Sequence, residues 1–234
     1  MAELYANPYS GSGFYFSDLA DYEAQVKRKR GDFEHTIMFI DGDDDEQALF
    51  TAMSGRDGLY PVDLEDYYDV IDMDDGEKAA LYWLLDNLNM KIADALEKIE
   101  DVGLSEGSAK DWAYNFIEDV GLPSDTSGYY FDYDRFGRDL SIDGAMDPDP
   151  DNYDEGEDDP DYIEEEERIS ALSDEDYGVE YVENYLGGLD QLSKQTLADY
   201  FDYDAWIRDL EINGEIATFS FAGTDYVVDN AASL

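Results

Sequence analysis

The sequence has no cysteine, a single histidine and only 14 lysines and arginines among 234 residues. Without cysteine there is no disulfide, no thiolate-bound zinc, no iron–sulfur cluster and no thiol nucleophile. The lone histidine, His35, excludes a two-histidine zinc motif, and any serine triad would depend on it alone. Long apolar runs are missing too. The longest, Ala79 to Leu85, has seven residues, against the roughly 20 of a membrane-spanning helix. Neither a P-loop nor a dinucleotide-binding glycine fingerprint occurs. The opening Met-Ala-Glu-Leu brings neither a basic nor an apolar leader region, so a signal peptide is not expected and a cytoplasmic location is.

What dominates instead is negative charge. Sixty-one Asp and Glu give a formal net charge of −47, far outside the excess usual for a small domain. Such a chain does not hold nucleic acid, phosphate or an anionic membrane by general attraction. High charge alone favours disorder. The 15% aromatic content, with 20 Tyr, 11 Phe and 3 Trp, opposes it and points to a folded chain with an acidic skin.

The fold class expected is α+β, an elongated chain of small modules. Residues 1–76 read as an α/β module. Phe14-Tyr15-Phe16 precedes the cap candidates Ser17-Asp18 and a helix over Leu19 to Val26. Ile37 to Ile40 reads as a buried strand, and Gln47 to Met53 as a short helix behind an acidic cap. Residues 77–146 form a helical module. Leu81, Leu84, Leu85, Leu88, Ile92, Leu96 and Ile99 make one apolar stripe that Gly103 ends. Ser108 to Asp111 resembles a capping box, and the helix after it turns Trp112, Phe116 and Val120 inward, stopping at Gly121. Residues 147–234 hold an acid tract and a third module. Thirteen of the 21 residues from Asp147 to Glu167 are acidic, and Pro148, Pro150 and Pro160 are expected to break any helix there. The tract reads as a solvated linker or as a working anionic surface. Tyr177 to Leu189 and Thr196 to Leu210 read as helices, and Ala217 to Phe221 with Asp225 to Val228 as a hairpin about Ala222-Gly223.

The most specific feature is an internal repeat. Tyr130-Phe-Asp-Tyr-Asp134 returns seventy residues later as Tyr200-Phe-Asp-Tyr-Asp204, and ten of the fifteen positions 130–144 are identical in 200–214. Arg138-Asp139-Leu140 matches Arg208-Asp209-Leu210. Upstream, Asn115-Phe116-Ile117 and Asn184-Tyr185-Leu186 repeat one residue out of step. The pattern suits a helix with aromatics inward and Asp outward, running into a strand. Arg138 and Arg208 are expected to form local ion pairs.

This run, Tyr-Phe-Asp-Tyr-Asp-x-aromatic-x-Arg-Asp-Leu, resembles the C-terminal signature of the ArdA antirestriction proteins. Glu3-Leu4-Tyr5, Asp18 to Tyr22 and Ile99 to Gly121 fit that family more loosely. Two copies with an acid tract between them depart from its usual layout. The resemblance implies a dimeric mimic of duplex DNA, without a cofactor, metal or catalysis of its own. Such a protein fills the DNA cleft of a type I restriction–modification enzyme in a bacterial host and protects the DNA of a mobile element. The carboxylates proposed to meet the partner are Asp132, Asp134, Asp139, Asp202, Asp204 and Asp209 of the repeat. From the tract they are Asp147, Asp149, Asp151, Asp154, Glu155, Glu157, Asp158, Asp159, Asp161, Glu164 and Glu165. The charge arithmetic agrees independently: 47 negative charges match the phosphates of roughly 24 base pairs, about 80 Å of duplex.

Other readings compete. Asp41-x-Asp43-x-Asp45 starts like a calcium loop, but Glu46 and Ala52 replace the required Gly and Glu. The run from Asp147 to Asp158 has Asn152 for that Gly and prolines inside. A two-carboxylate hydrolase has no specific signal among so many acids. A halophile's surface, or an acidic chaperone or decoy for a nucleoid protein, histone-like protein or CRISPR effector, shares the electrostatics.

Overall fold

The computed structural model describes residues 2–29, 33–54, 58–121, 127–143 and 160–234. The fold is α+β, a chain of small modules with two three-stranded antiparallel sheets. The chain clusters into two compact units, Met1–Trp112 with Leu210–Leu234, and Ala113–Asp209. They cut the chain differently from boundaries at 76 and 147. The C-terminal hairpin completes a sheet begun before residue 107, and both copies of the repeat meet inside the second unit.

In the first unit, β1 (Glu3–Pro8) lies between β2 (Phe14–Phe16) and β3 (His35–Asp41). Side chains alternate across the sheet. Leu4, Ala6, Phe14, Phe16 and Ile37 turn inward, onto Tyr22 of helix α1 (Leu19–Arg28) and Tyr67. Asp18 caps α1, its carboxylate accepting the Asp21 N–H at 2.7 Å. Ile37 is fully buried, but Met38 and Ile40 are 42% and 44% exposed. The run 37–40 is therefore not a buried strand throughout, because β3 edges an antiparallel sheet with one open face. His35 is buried: its Nδ1–H donates to the Phe33 carbonyl at 2.7 Å, and Nε2 shares a hydrogen bond with the Tyr22 hydroxyl at 2.8 Å. It is a strut of the core.

Helices α2 (Asp44–Met53), α3 (Leu64–Ile71), α4 (Asp75–Asp86) and α5 (Ile92–Leu96) follow. Capping boxes open α2 at Asp43/Glu46 and α4 at Asp74/Glu77. Lys78, a basic side chain that is buried, reaches Asp45 at 2.8 Å and ties α4 to α2. Partial burial pushes the Asp45 carboxyl up, but the bond to Lys78, the Lys78 charge and two backbone N–H bonds together outweigh it and hold the group below its ordinary range. The apolar stripe 81–99 is not one helix. After Asp86 the chain turns through Asn89, in the left-handed region at φ 56°, and a carbonyl of Leu84 accepts from the Met90 N–H. Asn tolerates that conformation better than most residues.

Strand β4 (Leu104–Glu106), absent from the sequence reading, joins the terminal hairpin in the order β4–β6–β5, with β5 at Ala217–Phe221 and β6 at Thr224–Val228. Phe221, Tyr226 and Val228 of the hairpin close over Leu81, Leu84 and Leu85 of α4. The hairpin turns through Ala222 and Gly223, at φ 49° and 82°. Two left-handed residues make the turn type whose twist matches a hairpin, which favours Asn-Gly. Alanine there is strained, so Ala222→Asn is expected to stabilise the chain by about 1 kcal/mol. A thermal melt should then shift upward by roughly 3–5 °C; an unchanged or lower midpoint would contradict this turn geometry.

The second unit is helical. It contains α6 (Ala109–Val120) from Ala113 onward, α7 (Ser127–Tyr130), α8 (Tyr133–Asp143), α9 (Pro160–Ser170), α10 (Asp174–Glu180), α11 (Lys194–Tyr200) and α12 (Tyr203–Ile212) to Asp209. The Ser108–Asp111 capping box precedes α6, with Asp111 N–H to Ser108 Oγ at 3.2 Å. On α6, Ala113 and Ile117 are buried and Trp112 and Phe116 half-buried beside them, whereas Val120 is 72% exposed, so the expected inward face holds for its first two positions and not for the third. Pro160 does not break a helix. It is the first residue of α9, where a missing N–H costs nothing and a fixed φ suits the helix. The expected single helix 196–210 is two, since Phe201 is extended and pairs elsewhere.

Candidate partner-binding surface

The two copies of the repeat build one object. Phe131 and Phe201 form an antiparallel bridge. Asp132 N–H donates to the Tyr200 carbonyl and Asp202 N–H to the Tyr130 carbonyl, both at 2.7 Å. The side chains reciprocate as well. Tyr130 donates its hydroxyl to Asp209 at 2.9 Å, and Tyr200 donates its own to Asp139 at 2.7 Å. Bonding to the Asp139 carboxylate, more than burial, raises the Tyr200 hydroxyl above its ordinary pKa. Phe131 packs on Tyr133 and Phe136; Phe201 packs on Tyr203 and Trp206. Each contact has its mate with the copies exchanged, so the pair is related by a local twofold.

The flanking helices are exchanged too. Helix α10 precedes the second copy yet packs on α8 of the first, and Tyr181, the residue after α10, lies against Phe136. Helix α6 precedes the first copy yet its Tyr114 and Phe116 meet Tyr203 and Trp206 of the second. Tyr203, buried against Tyr114 and with no partner for its hydroxyl among the described residues, is pushed up to about 12 by that burial. The crossing of α8 and α10 runs through Gly137 and Gly178 and is close enough for backbone contact.

The expected acids fall into distinct roles. Asp132 and Asp202 cap α8 and α12, each accepting a backbone N–H, of Arg135 and Ala205, at 2.9 Å. Both remain exposed, with lone pairs left for a partner. Asp139 and Asp209 tie the copies together through the tyrosines. Asp134 and Asp204 are exposed on α8 and α12. Arg138 bonds Asp134 at 2.5 Å and Asp174 at 3.2 Å, a local clamp as expected. Arg208 stands 4.0 Å from Asp209.

From the acid tract, Asp147, Asp149, Asp151, Asp154, Glu155, Glu157, Asp158 and Asp159 lie outside the described residues, as does the side chain of Asp161. Helix α9 presents Glu164 to solvent, and Glu165 is half-buried. Arg168 bonds both Glu165, at 2.7 Å, and Glu180, holding both carboxyls below their ordinary range. Ile169 of α9 packs with Tyr177 and Leu140. Among the described residues no group of three metal-ligating side chains is gathered, and no helix is long and apolar enough to cross a membrane.

On the twofold lies a cleft of about 320 Å³, lined by Tyr129, Tyr130, Phe131, Asp132 and their mates Asp199 to Asp202, with Arg135 reaching in. Sequence reasoning missed Arg135 and Asp199. The available signal was the mismatch inside the repeat, where Arg135 stands opposite Ala205. Comparison with protein-family models, curated proteins and solved structures gives no match for the chain.

Proposed function

We propose that this chain occupies the basic DNA cleft of a DNA-binding defence enzyme in place of duplex DNA, with a type I restriction–modification enzyme as the target. The observation that carries the proposal is the local twofold, which sets out the same exposed carboxylates twice, Asp132 with Asp202 and Asp134 with Asp204. Duplex DNA likewise relates its two phosphate strands by local twofold axes. The net charge of −47 supplies the long-range attraction that speeds encounter with a basic cleft. Lysines and arginines that hold phosphate accept carboxylates in the same way, arginine through two parallel bonds. No bond is made or broken. The decoy fills the cleft and DNA stays out. The proposed setting is a bacterial cytoplasm, with the chain acting as a homodimer.

The test is displacement of labelled duplex DNA from a purified type I methyltransferase. Stoichiometric displacement is expected. If DNA stays bound at every ratio while a nucleoid protein or a CRISPR effector releases its own DNA, the target is wrong and the mimicry stands. If none of these releases DNA, the mimicry itself fails.

A further inference from the structure

Strand β3 has an outer edge that is only half taken. Ile37 exchanges both backbone bonds with Leu59, its N–H donating at 2.8 Å and its carbonyl accepting at 3.0 Å. Backbone groups in an antiparallel strand point to alternate sides, so those of Phe39 face the same edge as those of Ile37. Among the described residues, no backbone group meets them there. An unpaired edge is a template for another chain. Beside it lies a cleft of about 530 Å³, with β3 along one wall and α2 along the other. Phe39 and Phe50 line it with apolar surface, their ring centres 5.6 Å apart. Thr51 of α2 and Ser54 just beyond that helix line the opposite wall. The Ser54 hydroxyl is buried and has no hydrogen-bond partner among the described residues. Met38 and Ile40 of the same strand are apolar yet exposed.

We propose that this edge takes a short, extended, basic segment of a protein partner as an added strand. One guest residue exchanges N–H and carbonyl bonds with Phe39 and turns its side chain toward Phe50 and Ser54. A hydroxyl at that position pairs with the Ser54 hydroxyl. The next guest residue lies on the open face beside Ile40 and is apolar, since side chains alternate along the strand. Charge fixes the residues beyond. Among the described residues no lysine or arginine lines the cleft, whereas Asp41 does. Asp44 is exposed, one turn before Gln47 of the α2 wall. A Lys or Arg at the Asp41 end is thus matched. A second copy of the chain does not fit. Two β3 strands paired about Phe39 would set Asp41 of each where Leu59 already meets Ile37 of the other, with like charges facing. This surface is separate from the repeat and from DNA competition, and it does not rest on that reading.

The probe is the peptide acetyl-Arg-Val-Lys-Val-Thr-amide, titrated into the isotope-labelled full chain and followed by NMR and amide exchange. Saturable shifts confined to 38–41 and 47–54 are expected, with one site and exchange of the Phe39 amide slowed about tenfold or more. Replacing the peptide's Arg and Lys by Glu should weaken binding by a similar factor. Methylating its internal amide nitrogens should do the same, because it removes strand pairing and leaves the charge. Thr51→Arg fills the cleft from an exposed helix position and should abolish binding. Ser54→Ala removes only an unpartnered hydroxyl and should weaken binding severalfold. Melting curves identify which variants remain folded. Shifts spread without saturation over acids of the whole chain would overturn the proposal, as would equal binding of the methylated peptide. So would a folded Thr51→Arg chain that binds as before. Phe39 protection that grows with protein concentration and needs no peptide would overturn it too, by placing a second copy on the edge.

Discussion

The substitution Gly137→Ala is expected to collapse the second unit, although in most helices the same change stabilises. Alanine is the better helix former by about 1 kcal/mol, so propensity alone predicts a gain. The crossing reverses the sign. A Cβ at Gly137 would lie 1.8 Å from the Asp174 carbonyl oxygen, 2.6 Å from the Gly178 nitrogen and 2.9 Å from the Asp174 carbonyl carbon. All three atoms are backbone and none can swing aside as a side-chain tip would. To admit the methyl, α8 and α10 must separate. That strips Phe136 from Tyr181 and disturbs the Arg138–Asp174 bond. Overpacking of this kind costs about 3 kcal/mol or more. For a unit of about a hundred residues that lowers the melting midpoint by roughly 12–24 °C. Gly178→Ala should act alike, its Cβ falling 2.4 Å from the Tyr133 carbonyl oxygen. Gly76→Ala in α4 is the control: its nearest atom is a carboxylate oxygen of Asp74 at 3.4 Å, and it should be neutral or slightly stabilising. Hydrogen exchange resolves the effect by segment, with protection lost over 133–143 and 174–186. A Gly137→Ala chain that melts at or above the parent temperature would show that the helices do not cross there.

That crossing also marks where sequence reading stops. Local signals were legible because their causes are local. Asp18, the acidic cap before the helix at 47–53, the Ser108/Asp111 box, Gly121 and the Ala222-Gly223 turn each act within a few residues. The repeat was legible because identity at a fixed offset needs no structure to see. What was not legible depends on partners distant in the chain. The break at Phe201 exists because Phe131, seventy residues earlier, pairs with it. β4 is three residues long and becomes a strand only against β6. Pro160 looked like a breaker since proline is hostile to helix interiors, but position decides, and at a first turn it is favourable. Among the acids, composition cannot separate Asp139 and Asp209, which fasten tyrosines of the other copy, from Asp134 and Asp204, exposed on their helices. A charge count treats all of them alike.

Under the proposed function, affinity for the target should fall with salt, but less steeply than DNA's own. The physical difference lies in counterions. DNA places a charge every ~1.7 Å of axis and condenses cations along itself, and a protein neutralising 6–10 phosphates loses roughly 10³–10⁵ in affinity between 50 and 200 mM salt as those ions are no longer released at a gain. Carboxylates on a folded chain are spread over a wider surface. Some are already answered internally, Asp134 by Arg138 and Glu165 by Arg168. Fewer cations are condensed there, so fewer are released on binding, and the loss over the same salt range should be on the order of 10–10², mostly screening of exposed pairs. The decoy should therefore outcompete DNA by a growing margin as salt rises, about tenfold or more in relative affinity across that range. Paired titrations of one methyltransferase with duplex and with this chain, from 50 to 200 mM, read the two slopes directly. Asn or Gln replacements at Asp132, Asp134, Asp202 and Asp204 should each reduce affinity severalfold and flatten the slope slightly, because many contacts share the attraction. A slope as steep as DNA's would mean a counterion sheath that a dispersed surface does not carry. A slope of zero would mean that the carboxylates do not form the contact at all, and a complete loss from one replacement would point to a single specific site instead of a charged surface.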